Sequence, residues 1–86
     1  MQSRIKDQIR EYLVRNLLSG DARGFTDETE LQESRILDSF ATLELIHFLE
    51  DTFGIALGAS QVHAESFRNV DSIARTVETA IAEPSG

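Results

Sequence analysis

The chain has 86 residues, no cysteine and a formal charge of −7, with 41% of its residues apolar. A chain of this length buries somewhat more than roughly 60% of its unfolded surface, which supports one small core and leaves little to line a deep substrate pocket. The negative charge disfavours nucleic acid and anionic lipid as partners and favours basic protein surfaces. The absence of cysteine rules out a disulfide framework and an encoded thiolate nucleophile.

No run of about eighteen apolar residues is present. The opening MQSRIKDQIR also lacks the apolar stretch of a signal peptide, so a cytoplasmic location without membrane association is expected.

The first helix is expected at about residues 3–18. Ile5, Ile9, Tyr12, Leu13 and Leu17 are spaced four, three, one and four apart, which puts them on one helical face. Ser3 can cap its start, and Ser19-Gly20-Asp21 provides a stop. Arg4, Lys6, Arg10 and Arg15 concentrate positive charge there. A long, polar connection follows to about residue 38. Its scattered Phe25, Leu31, Ile36 and Leu37 are expected to pin it across the helices, because they would otherwise stand exposed in irregular chain.

A second helix is expected at about 39–53, with Phe40, Leu43, Ile46, Leu49 and Phe53 as its apolar positions. Asp38 or Ser39 supplies the capping oxygen, Gly54 ends the helix, and Glu44, His47 and Asp51 face away from the core. A short helical piece at about 63–67 precedes a last helix at about 70–82. That helix is capped by Asn69 and carries Val70, Ile73, Ala74, Val77 and Ile81 on its apolar face, fraying before Glu83. There is no strand pattern and no internal repeat. The expected fold is a single all-α domain spanning residues 1–86, a three-to-four-helix bundle with a long first loop.

The stretch Glu33-Ser34-Arg35-Ile36-Leu37-Asp38-Ser39-Phe40-Ala41-Thr42-Leu43-Glu44-Leu45, continuing through Ile46, Leu49, Glu50, Asp51 and Phe53, resembles the phosphopantetheine attachment region of the acyl carrier protein family. In that family an Asp-Ser-Leu type tripeptide opens an acidic second helix. Asp-Ser-Phe is similar to the variant of D-alanyl carriers and of many stand-alone carriers in specialised metabolism. Arg35 replaces a glycine common in the family, and Gly58 replaces a proline often found after the second helix.

The resemblance implies a stand-alone acyl, aminoacyl or peptidyl carrier of polyketide or nonribosomal peptide type, not an enzyme. Its phosphopantetheine arm would come from coenzyme A, be attached to Ser39 and hold cargo as a thioester. Asp38 and Phe40 would flank the attachment point, and Glu44, His47, Glu50 and Asp51 would form a docking face. The implied partners are a phosphopantetheinyl transferase, an acyl- or aminoacyl-loading ligase or adenylating enzyme, and an acyltransferase or synthase as acceptor. The carrier itself is expected to be a monomer. Phe40 is read both ways, at the core edge by helical spacing and at the partner-facing rim by resemblance.

The residues leave two other readings. Asp38 and Ser39 can serve merely as a helix cap, in an acidic helical adaptor without cofactor. A hydrolase would need His47 or His63 as base for Ser39. Eight residues on one helix place His47 about 12 Å along the axis from Ser39, too far for proton abstraction, and no glycine-rich elbow accompanies His63. His63 has no second ligand at metal spacing.

Overall fold

In a computed structural model, residues 2–18, 20, 23–58 and 62–82 are described. They form helices α1 (Gln2–Leu17), α2 (Ser39–Phe53) and α3 (Val70–Ala82), with a 3-10 turn at Ala64–Phe67 before the last, and no strand among the described residues. Among them no helix is long and apolar enough to cross a membrane. The fold is all-α, as the residue pattern predicts.

Ile5, Ile9 and Leu13 of α1 are buried against Leu45 and Leu49 of α2 and against Phe67, Val70, Ile73, Ala74 and Val77. The backbones of α1 and α3 approach each other most closely, while α2 meets α3 over a shorter stretch. Lys6 Nζ stands 2.7 Å from an Asp71 carboxylate oxygen, and Arg10 reaches both Asp7 and Asp27, so the cations of α1 tie it to the loop and to α3.

The helix ends follow local chemistry. α1 starts at Gln2, one residue ahead of the expected cap Ser3, whose side chain is outside the described part. Ser19, Asp21 and residues 83–86 also fall outside it. Gly54 takes φ 64 at the end of α2 and its N–H donates to Glu50 O, a left-handed stop that glycine adopts without a Cβ penalty. The Asn69 side chain accepts from Ser72 N at 2.8 Å and opens α3.

The long loop is pinned, and its anchor is Leu31. This side chain is fully buried, its N–H donates to Arg68 O at 2.8 Å, and its carbonyl accepts from Ile36 N and Leu37 N, both at 3.0 Å. Asp71 N donates to Asp27 O at 3.2 Å, and Arg68 pairs with Glu30. Leu37 is buried, whereas Phe25 and Ile36 pack partly buried on the core.

Two apolar faces differ from the spacing prediction. α2 buries Ala41, Leu45 and Leu49 and leaves Phe40 69% and Leu43 52% exposed. Successive steps of three fall short of a full turn, so Phe40, Leu43, Ile46 and Leu49 fan around the helix instead of lining one side. α3 buries Ala80 and leaves Ile81 48% exposed, because the position three after Val77 faces the core and the next one turns past it.

Replacing Leu31 by Ala should lower the unfolding free energy by about 2–5 kcal/mol in urea titrations, whereas Ile81→Ser should change it by less than about 0.5 kcal/mol. An Ile81→Ser loss comparable to that of Leu31→Ala would refute the observed face of α3.

Candidate functional site at the start of the second helix

Leu37 enters the core and the chain then turns outward. Asp38 is extended, with φ −98 and ψ −174, and its carboxylate accepts from Ala41 N at 2.7 Å. The Asp38 carbonyl takes both Thr42 N at 2.9 Å and the Thr42 hydroxyl at 2.7 Å. Asp38 is therefore the N-cap of α2, and Ser39 is freed from that task as the first residue of the helix.

Ser39 is exposed, and its hydroxyl has no hydrogen-bond partner among the described residues. The Asp38 cap engages the Ala41 and Thr42 amides, leaving the Ser39 and Phe40 amides free at the same end. Free amides and the aligned peptide dipoles favour an anion there by about 0.3–1 kcal/mol. The geometry thus offers an accessible hydroxyl next to a place that tolerates a phosphate. A Cβ-bearing wall does not enclose it, and Phe40 and Leu43 stand exposed beside it.

The expected docking residues are not equivalent. Glu44, His47 and Asp51 are exposed along α2. Glu50 is half-buried and its carboxylate accepts from Leu57 N at 3.0 Å, so it braces the chain after Gly54. An open groove beside Glu44 and His47 also involves Tyr12 and Asn16 of α1. Tyr12 stacks on Phe48 with ring centroids 4.3 Å apart and an interplanar angle of 22°. Spacing alone assigned Tyr12 to the core face. It is partly buried and packs against the core from the rim, and its ring hydroxyl is the one sequence signal for that intermediate place.

His63 is exposed at the cap of the 3-10 turn, 3.3–3.4 Å from the Ser66 hydroxyl. No group of three or more His, Cys, Asp or Glu side chains suited to a metal occurs among the described residues. His47 lies eight residues from Ser39 on the same helix, so the structure does not bring a base to the serine.

Arg35, where the family resemblance puts glycine, has φ 62. It is the single non-glycine residue with positive φ among the described residues.

Two measurements follow from this geometry. Asp38→Ala should cost about 0.5–2 kcal/mol of stability in denaturant titrations and Asp38→Asn much less, since asparagine retains the capping oxygen; equal losses would contradict the cap. Burial, and then the Glu44 charge, raise the Tyr12 pKa above the ordinary tyrosine value. Its neutral form is the one favoured by folding, so that contribution is complete below about pH 10 and is lost as pH rises through the raised value. Tyr12 is the single tyrosine, so absorbance at the phenolate band should titrate in one step above the free-tyrosine midpoint, and Glu44→Gln should bring it down. A midpoint at or below that of free tyrosine would contradict the Tyr12 environment.

No protein-family model matches the chain. It is similar to the probable acyl carrier protein PigG of Serratia sp., with 26% identity over 80 residues that cover 93% of this chain and 92% of that protein. The likeness to that probable acyl carrier protein runs along nearly the whole length of both chains, and here three helices follow in order with Asp-Ser-Phe opening the second.

Proposed function

We propose that the chain is a stand-alone carrier whose Ser39 oxygen takes a phosphopantetheine arm from coenzyme A. The observation that carries this reading is the exposed Ser39 hydroxyl, without a partner among the described residues, at the first position of α2 and relieved of capping by Asp38. In the transfer, the Ser39 oxygen forms a bond to the phosphorus of the pantetheine phosphate. The serine proton is lost and the adenosine bisphosphate half of coenzyme A departs. The arm, when attached, supplies the thiol that the sequence lacks and holds acyl or aminoacyl cargo as a thioester.

The chain's own residues hold and present. Asp38 fixes the first turn of α2 through one carboxylate oxygen, and the transferase or its metal ion approaches the serine past this acid. The free Ser39 and Phe40 amides receive the phosphodiester charge. Phe40 and Leu43 give partner enzymes an apolar contact beside the arm. Glu44, His47 and Asp51 give a polar, mainly acidic one suited to basic surfaces, while Glu50 contributes mainly by holding the end of α2.

Surface pairs of about 0.2–1 kcal/mol each suit brief, repeated association with a transferase, a loading ligase or adenylating enzyme, and an acyltransferase or synthase acceptor. The name of the Serratia relative supports the acyl carrier reading. Work in specialised metabolite assembly, as a cytoplasmic monomer, is part of the same proposal.

Intact mass after incubation with coenzyme A, magnesium and a broad-specificity phosphopantetheinyl transferase tests the reading. The wild type should gain one phosphopantetheine and Ser39→Ala none, while Ser39→Ala keeps its helical circular dichroism. No gain by the wild type, with a competent transferase shown on a control carrier, would favour a cofactor-free acidic adaptor. Loss of the fold in Ser39→Ala would make the serine chiefly structural.

A further inference from the structure

Arg35 holds a left-handed conformation in which a residue with a Cβ is less stable than glycine. Nothing local compensates for this through the side chain. Arg35 is exposed, and its guanidinium makes no hydrogen bond or ion pair with any described residue. Arg10, Arg15 and Arg68 by contrast are paired, Arg10 with Asp7 and Asp27, Arg15 with Glu11 and Arg68 with Glu30, and what separates Arg35 from the other arginines unpaired among the described residues is its left-handed backbone four residues before Ser39.

Its placement is fixed as well as strained. Arg35 N donates to Gln32 O at 3.1 Å, the next two amides donate to Leu31 O, Leu37 is buried and Asp38 caps α2. The path from Arg35 to Ser39 therefore has no slack segment. Four residues span at most about 14 Å even when extended, and the Leu31-centred turn shortens that path. A long arginine side chain and a phosphorylated serine can close the remainder.

Charge makes the pairing selective. Arg35 is the one Lys or Arg in residues 24–67, a stretch that contains Glu33, Asp38 and Glu44 around the serine. A phosphodiester on Ser39 meets carboxylates on both sides in sequence and a single cation. Guanidinium presents parallel N–H donors that match two phosphate oxygens, and such charged bonds are about twice as strong as neutral ones.

We propose that Arg35 is a positioning residue that bonds the phosphodiester on Ser39 and sets the direction in which the arm leaves the protein. This rests on the reading of Ser39 as the attachment point. The backbone strain at Arg35 is then accounted for by a side-chain contact made only in the loaded protein, and the unloaded protein leaves the guanidinium free.

The test uses the loaded protein, with loading checked by intact mass, and compares wild type with Arg35→Gly, Arg35→Asn and Arg35→Lys. Glycine relieves the strain, asparagine tolerates the left-handed region without charge, and lysine keeps a charge without the fork. The phosphorus-31 resonance of wild type should differ in chemical shift from those of the glycine and asparagine variants, which should agree with each other. Lysine should fall between, and raising salt should move the wild-type resonance toward the glycine position. Arg35→Gly should be at least as stable as wild type to urea, so the shift cannot be blamed on a weakened fold. Four loaded proteins with the same phosphorus resonance would overturn the role of Arg35 while leaving attachment intact. A wild type that gains no arm would overturn the attachment reading and this proposal with it.

Discussion

The backbone of Leu31 is the point through which the loop, the last helix and the start of α2 are joined. Its N–H is spent on Arg68 O, just before α3, and its carbonyl serves Ile36 and Leu37, just before α2. A buried carbonyl that accepts twice satisfies two donors in a segment with no regular ladder, and its side chain fills the core at the same point. Loop residues would otherwise leave amides without partners under a surface they cannot span. The position of Ser39 is thus set by a leucine eight residues earlier, and every property of the site, including its exposure, is inherited from that anchor.

Helix number, order and caps were legible because they rest on local chemistry: Asp38, Gly54 and Asn69 act within four residues of themselves. The faces were less legible. A run of threes can be read as one stripe, yet a helix needs threes and fours in alternation to keep a stripe straight, so Phe40 and Leu43 rotate into solvent. Glu50 was indistinguishable in sequence from Glu44, because what separates them is the return of Leu57 to the end of the helix. The replacement of glycine by Arg35 could be read as a residue type, whereas its left-handed backbone depends on the turn built by Leu31 and could not. At the site, the identity of the capping residue was left between Asp38 and Ser39, and only the hydrogen bond to Ala41 distinguishes them.

Electrostatics divide the molecule by helix. The cations of α1 are largely engaged with Asp7, Glu11, Asp27 and Asp71, while α2 has carboxylates and no Lys or Arg. Exposed pairs of this kind add little stability each, so their effect is to cancel the positive charge locally and leave the field outside α2 negative. The burial of the Tyr12 ring against Phe48 then brings an uncharged rim to the α1 side of that field.

The unequal spacing of the helices has a mechanical consequence. α3 buries Ile73 among the smaller Val70, Ala74, Val77 and Ala80, and its backbone comes close to α1 over a long stretch. α2 is carried instead on buried Ala41, Leu45 and Leu49 with Phe48 and Phe53 partly buried beside them, mostly large side chains with several rotamers, and its backbone contact with α3 is short. Close backbone packing resists sliding, because small interlocking residues have no alternative arrangement, whereas a cushion of leucine and phenylalanine can repack around a tilted axis. The α1–α3 pair is therefore the more closely packed part of the molecule, and α2, with the serine at its tip, rests on the side chains that have the most ways to repack.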